Sequence, residues 1–356
     1  MKLAVDARII NMSGIGTYIK NLMKNDCYDI ALGRKDAIKD INNNVEIVDY
    51  DCKIYSIKEQ LKFPYKELRK LKPDVLHIPH YNVPVFYRGR MVVTIHDLTH
   101  LILPEFLPNK FAKYYAKFMI KTALRKAEKV ITVSENTKKD ILRMFKVNPE
   151  KIEVIYNGVG KEFIEKDKEQ TNYLYEKYNI PKDKKLLMYV GNLKPHKNLE
   201  RLITAYSKIN DIENTRLLLV GKAFEKYNVL EEIEKQLGIE KNVIHTGMVE
   251  QEELVDLYNL VDLFVFPSLY EGFGLPVLEA LSCGTPVVCS NNSSIPEVGG
   301  NMVKYFDAYN TENMKKQIEE ELNNPTNIDK EKLQEWLNKF SWHENAKKVK
   351  EIFEEI

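Results

Sequence analysis

Glu271 and Glu279 stand with seven residues between them in the stretch Pro267-Ser-Leu-Tyr-Glu-Gly-Phe-Gly-Leu-Pro-Val-Leu-Glu279. An ionised carboxylate only accepts hydrogen bonds, which suits it to the hydroxyls of a sugar. Gly272 and Gly274 let a backbone approach a ligand, and Pro276 is a favoured first-turn residue of a helix. A helix opening there offers unpaired N–H donors and a positive dipole end, a setting for an anion. Three other places concentrate unusual residues: Asn192 through Lys197, the pair His96-Asp97, and Gly14-Ile-Gly16. The last lacks the third glycine of G-x-G-x-x-G, so it is a weak dinucleotide fingerprint and equally a plain tight turn. His77, His80, His96 and His100 are close in sequence, but strand geometry would point His77 and His80 to opposite faces, so no metal site is expected.

These residues need a scaffold, and the pattern of apolar runs supplies one. Leu3–Asp6, Val45–Tyr50, Val75–Ile78, Met91–Ile95, Val130–Val133 and Ile152–Tyr156 read as strands, with helical patterns between them, clearest in Asn109–Glu128 and Glu135–Phe145. Continuous apolar strands separated by helices predict a parallel sheet covered on both faces. The series pauses over the charged Lys161–Lys185, where a short helix is expected around Tyr173–Tyr178 and a break at Pro181. It resumes with Leu186–Val190, Leu217–Val220, Val243–Thr246, Leu263–Phe266, Val287–Cys289 and Val303–Phe306. The fold class is therefore α/β, with two units. Ligands of open parallel sheets bind beyond the carboxyl ends of the strands, where the candidate residues fall. Two crevices facing each other would make an interdomain cleft. The last helix should start at the capping box Ser341-Trp-His-Glu344.

With 356 residues, 44% of them apolar, the chain can bury two ordinary cores, and it contains no long single-sign charge run. No apolar stretch approaches the length of a membrane-spanning helix, and Asp6 and Arg8 interrupt the N-terminus before a leader-like run develops. Cys27, Cys52, Cys283 and Cys289 form no C-x-x-C pair, so a soluble cytoplasmic protein is expected. Charge is divided unevenly. Residues 1–160 hold 28 Lys and Arg against 18 Asp and Glu, and the remainder holds 25 against 34. The basic part should face an anion.

The sequence resembles the retaining GT-B glycosyltransferases, particularly family 4. The likeness rests on E-G-F-G-L-P-x-L-E-A, Gly284-Thr-Pro-Val-Val, Ser294-Ile-Pro-Glu297-Val-Gly, Ile155-Tyr-Asn-Gly-Val159 and Gly191-Asn-Leu-Lys-Pro-His-Lys-Asn198, and covers nearly the whole chain. It implies two Rossmann-like domains: an acceptor domain of 1–165 joined by a final helix of 342–356, a linker of 166–183, and a nucleotide-sugar domain of 184–341. It also implies that Glu271 binds hydroxyls of the donor hexose, Glu279 the ribose, and backbone N–H groups around Phe273, Gly274 and Leu275 the sugar and diphosphate. Lys197 would neutralise the diphosphate, His96 would face the donor sugar, and Gly16 would lie near the donor phosphates. Where the family often has Arg, this chain has Asn192 and His196, which implies a phosphate clamp of lower charge with Asn192 acting by hydrogen bonding.

The resemblance thus implies a retaining, metal-independent hexosyltransferase without a cofactor. Its donor is a nucleotide diphosphate sugar, and the setting looks most like bacterial mannosyltransferases of surface-polysaccharide assembly, with a glycan or lipid-linked acceptor. A GT-B-like nucleotide-sugar epimerase and a non-catalytic sugar-nucleotide-binding subunit are the alternatives. Asp49-Tyr-Asp51 matches the D-x-D by which the other main glycosyltransferase fold binds Mg²⁺ or Mn²⁺, but nothing else resembles that fold, and a polar strand end is the expected reading. Lys110, Lys113, Lys117, Lys121 and Arg125 share one face of the Asn109–Lys129 segment, with Phe111, Tyr115, Phe118 and Met119 on another. Two readings stand: a surface helix whose apolar side meets its own core, or a basic surface for anionic lipid headgroups or a lipid diphosphate on the inner face of a membrane.

Overall fold

The computed structural model describes residues 1–107, 110–221 and 229–356. They form two compact units, Met1–Gly158 with Phe340–Ile356, and Val159–Lys339. The first unit holds β1 (Leu3–Asp6), β2 (Ile30–Gly33), β3 (Glu46–Asp49), β4 (Val75–Ile78), β5 (Met91–Ile95), β6 (Lys129–Thr132) and β7 (Ile152–Val154), ordered β3-β2-β1-β4-β5-β6-β7. The second holds β8 (Lys185–Val190), β9 (Thr215–Val220), β10 (Val243–Gly247), β11 (Leu263–Phe266), β12 (Val287–Ser290) and β13 (Lys304–Phe306), ordered β10-β9-β8-β11-β12-β13. All pairings are parallel. Helical crossovers cover both faces of such a sheet, so β4, β5, β11 and β12 are buried at every position, while the edge strand β3 is not.

In each unit the strand order reverses once, between β1 and β4 and between β8 and β11. That reversal opens a crevice at the carboxyl ends of the two central strands, the ligand position of doubly wound folds. One strand escapes the sequence pattern. β2 is only Ile-Ala-Leu-Gly, fully buried, and follows a polar Asp29 without β-branched enrichment beyond Ile30.

The unit boundaries differ from the expected ones. The first unit ends at Gly158, not 165, and the expected linker 166–183 falls within the second unit. The reason is a set of bonds to the helix Gln251–Leu260 and its C-terminal end. The Lys166 N–H donates to Asn259 Oδ1 (2.7 Å), Lys166 pairs with Asp256 (2.6 Å), and the Tyr178 hydroxyl donates to Glu253 (2.7 Å). The final helix, Trp342–Glu355, belongs to the first unit, with Ser341 accepting from the Glu344 N–H at 3.4 Å. Asn345 donates to the Tyr156 carbonyl (2.8 Å), and Phe353 lies 5.5 Å from the His77 ring. A Cβ on Gly158 would come within 2.1 Å of the Trp342 nitrogen, so only glycine lets this crossing occur.

Candidate active site

In the second unit the candidate residues converge at the reversal between β8 and β11. The loop after β8 carries Asn192 and Lys197, and the loop after β11 carries Glu271. Lys197 Nζ meets Glu271 Oε1 at 2.6 Å, with both side chains partly open to solvent, and sits 5.9 Å from the Phe266 ring. Asn198, left-handed at φ 63°, locks the two loops by donating to the carbonyls of Pro267 (3.0 Å) and Ala308 (2.7 Å). The Leu269 N–H adds a bond to the His196 carbonyl (2.9 Å). Asn192 accepts at its carbonyl from the Tyr189 hydroxyl, 3.3 Å away.

Gly274 follows, at φ 130°, a conformation that side-chain-bearing residues rarely adopt. It is the N-cap of the helix Leu275–Ser282, which has no side-chain cap. Pro276 has no N–H, and the Val277 N–H is taken by the Gly274 carbonyl (3.0 Å). The helix opening therefore offers an external acceptor its positive dipole end and the Leu275 backbone rather than a full set of amides. A third loop braces this turn. Ser293 accepts from the Glu271 N–H (2.9 Å), and the Ser294 hydroxyl reaches the carbonyls of Glu271 (2.9 Å) and Phe273 (2.7 Å). One turn into the helix, Glu279 accepts from the Tyr258 hydroxyl at 3.0 Å. Burial pushes the Glu279 carboxyl up to about 7, against the opposing effect of the Tyr258 bond, with Glu162 adding to the rise.

In the first unit His96 closes β5. Its Nε2 lies 3.1 Å from the Pro79 carbonyl and its ring stands edge-on to Tyr18 at 5.0 Å. A carbonyl can only accept, so the neutral ring carries its proton on Nε2 and presents Nδ1 as an acceptor. Burial holds its pKa down to about 4. Gly16 is explained by packing: a Cβ there would lie 2.4 Å from the Ile10 carbonyl oxygen. His77 is buried between Tyr28 (2.6 Å) and Thr94 (2.8 Å), and His80 donates to Asp6 (3.3 Å), so the two bind separate partners. At the β1/β4 reversal Arg8 bridges Asp6 (2.5 Å) and Glu59 (2.8 Å), with all three side chains almost wholly buried. Asn82 donates to Glu59 and accepts from the Tyr115 hydroxyl (2.5 Å). Nothing in the spacing of Asp6, Arg8 and Glu59 announced this network.

Comparison with known proteins agrees with the geometry. The family described as "Glycosyl transferases group 1" matches residues 172–340, and "Glycosyltransferase Family 4" matches residues 54–163. Between them these two glycosyltransferase family models match most of the chain. The O-antigen chain mannosyltransferase B of Escherichia coli is 33% identical over 65% of this chain and 61% of its own length. The O-antigen chain mannosyltransferase RfbU of Salmonella typhimurium is 32% identical over 64% and 59%. The chain thus spans less than two thirds of the length of these relatives, and only 30% of the serotype-specific mannosyltransferase WbdA of Escherichia coli. Among solved structures, HepE of Anabaena in complex with UDP and glucose superposes with a TM-score of 0.81 at 18% identity, covering all of both chains. Sucrose-phosphate synthase of Thermosynechococcus elongatus gives 0.82 at 17%, covering 100% of this chain and 98% of its own. These likenesses establish the GT-B fold.

In the second unit the structure brings Lys197 against Glu271, three residues before Gly274 and four before Leu275, with Asn192 on the same loop as Lys197. Asn198 and Ser294 had no signal beyond their place in family-like stretches, and Ser293 had none. The basic helix Lys110–Lys126 departs from expectation. Ala116, Met119, Ile120 and Ala123 face the core, but Phe111, Tyr114 and Phe118 are 82%, 70% and 58% exposed. Phe111 and Phe118 therefore do not share the buried face of Met119, which Ala116, Ile120 and Ala123 complete. Asn109 and the Lys110 side chain lie outside the described residues. No described helix is long and apolar enough to cross a membrane, and among the described residues no three His, Cys, Asp or Glu converge as metal ligands.

Proposed function

We propose that the chain is a retaining, metal-independent hexosyltransferase that moves a hexose from a nucleotide diphosphate sugar to a glycan or lipid-linked acceptor. Its relatives point to mannose. The observation that carries this reading is the Lys197–Glu271 pair beside the uncapped helix opening at Gly274. A diphosphate leaving group needs positive charge where its own charge grows, and Lys197 with the helix N-terminus supplies that without a divalent cation. Glu271, released from Lys197, accepts from the hexose hydroxyls, and Glu279 from the ribose. His96 offers Nδ1 to a sugar hydroxyl, and Gly16 and Phe273 shape backbone near the donor.

The chemistry is front-face displacement. The bond from the anomeric carbon to the phosphate oxygen breaks, its electron pair leaving on the diphosphate. The acceptor oxygen bonds to the same face, and its proton passes to the departing phosphate oxygen. Purified protein kept in EDTA with a panel of nucleotide sugars and a mannoside acceptor should form product of retained anomeric configuration by NMR. Turnover of donor without acceptor to an isomeric nucleotide sugar would indicate an epimerase, and restoration only by Mn²⁺ would overturn metal independence.

The acceptor side includes a membrane. Helix Lys110–Lys126 contains no acidic residue, and its exposed face sets Phe111, Tyr114 and Phe118 beside Lys113, Lys117, Lys121 and Arg125. Aromatic rings favour the headgroup level of a bilayer and lysines favour anionic headgroups, so this face suits peripheral docking on an anionic leaflet.

A further inference from the structure

We propose that Tyr55, Tyr81, His100 and Asp97 of the first unit form a saccharide-binding subsite, with the Tyr55 ring as the platform for a sugar of the acceptor. The proposal rests on the transferase reading for the sugar's role as acceptor. Tyr55 combines two features. Its backbone is left-handed at φ 63°, and its side chain is substantially open to solvent. Strain of this kind persists only where the surroundings hold it, and it gathers at binding sites.

Those surroundings are well built. The Tyr55 N–H donates to Glu59 Oε2 (3.0 Å), and Glu59 is itself held by Arg8 and Asn82. Ser56, the next residue, caps the helix Ile57–Lys62. The Tyr55 ring leans on Tyr81 at 5.8 Å and on His100 at 6.2 Å, while the Tyr81 hydroxyl bonds His100 Nδ1 at 2.5 Å. Asp97 fixes one oxygen on the Thr99 N–H (2.8 Å), and its charge acts on the hydroxyls of both Tyr55 and Tyr81. Tyr81 follows β4, and Asp97 and His100 follow β5, so the cluster lies at the carboxyl end of the sheet.

A pyranose has an apolar C–H face and a rim of hydroxyls. An aromatic ring with a polar tip matches the face, and a carboxylate with phenol hydroxyls matches the rim. A phosphate does not fit, because the four residues include no lysine or arginine and Asp97 would repel it. The buried network around Arg8 then serves the subsite by holding Tyr55 in place.

Saturation-transfer NMR on the full chain with methyl α-D-mannopyranoside and a mannose oligosaccharide tests this. Wild type should saturate the ring protons of the sugar, and Tyr55→Asn should abolish the signal. Asparagine tolerates the left-handed backbone, so the variant removes the ring without adding strain. Tyr55→Phe should retain most of the signal, since stacking needs the ring. In transfer assays Tyr55→Asn should raise the acceptor KM about tenfold, as loss of an aromatic anchor does, with a smaller effect on kcat. Sugar signals absent from wild type, or unchanged in Tyr55→Asn, would overturn the subsite. Wild type that binds sugars but turns over no nucleotide sugar would instead contradict the transferase reading and leave the subsite standing.

Discussion

The two units share one wiring and use their switch points in opposite ways. At the β1/β4 reversal the charges are sealed: Asp6, Arg8 and Glu59 lie almost wholly buried, and Arg8 holds the Asp6 carboxyl far below the usual range despite burial. At the β8/β11 reversal Lys197 and Glu271 meet at a similar distance but remain reachable by water. A sealed pair cannot exchange partners without exposing an unpaired charge, whereas an accessible pair can separate onto a ligand. The first arrangement therefore builds shape and the second awaits chemistry.

The largest effect that separates them is on stability. Arg8→Met leaves two buried carboxylates uncompensated and should cost about 3–5 kcal/mol in urea unfolding. Glu271→Gln should cost no more than about 1 kcal/mol, as partly exposed pairs do. Equal costs would erase the distinction between sealed and open charges.

A second contrast is chemical. The helix Lys110–Lys126 of the first unit should carry the protein onto anionic vesicles and not neutral ones, with release by added salt as screening shortens to roughly 8 Å or less. Reversing Lys113, Lys117 and Lys121 to Glu should abolish co-sedimentation. Binding that persists unchanged would place the contact elsewhere.

The smallest contrast is in pH response. His77 and His96 of the first unit are held neutral by burial, at about 3 and about 4. Below their unfolded value near 6.5 the unfolded chain binds more protons, so the first unit loses stability as pH falls through 6.5 towards 4. Glu279 of the second unit has the reverse sign. Its folded value near 7 exceeds the unfolded one, so the folded form binds more protons between about 4.5 and 7, and stability rises as pH falls across that window. Amide-exchange protection, corrected for intrinsic rate, should therefore fall in the first unit and rise in the second between pH 7 and pH 5. Parallel changes would contradict the opposite signs.

Much of this was legible in the sequence. Parallel strands buried on both faces leave long apolar runs, which is why Asn192–Lys197 and Glu271–Gly274 could be placed at the carboxyl ends of β8 and β11. What stayed hidden depends on distant partners. β2 is too short and too plain to show, and 166–183 reads as a linker because its ties to Asp256 and Asn259 span some ninety residues. Phe111 and Phe118 followed the helical period of a core face, but Ala116, Met119, Ile120 and Ala123 form the buried face. Arg8 and Tyr55 carry no motif, since only the fold brings Glu59 to both.

The central claim is that the accessible pair at the β8/β11 reversal drives transfer. The direct measurement is single-turnover transfer by wild type, Lys197→Ala and Glu271→Gln, each first shown to unfold at the wild-type temperature. Loss of charge stabilisation in the transition state should slow each variant by about 10²-fold or more. Near-normal transfer by either folded variant would contradict the claim and move the reacting site away from Lys197 and Glu271.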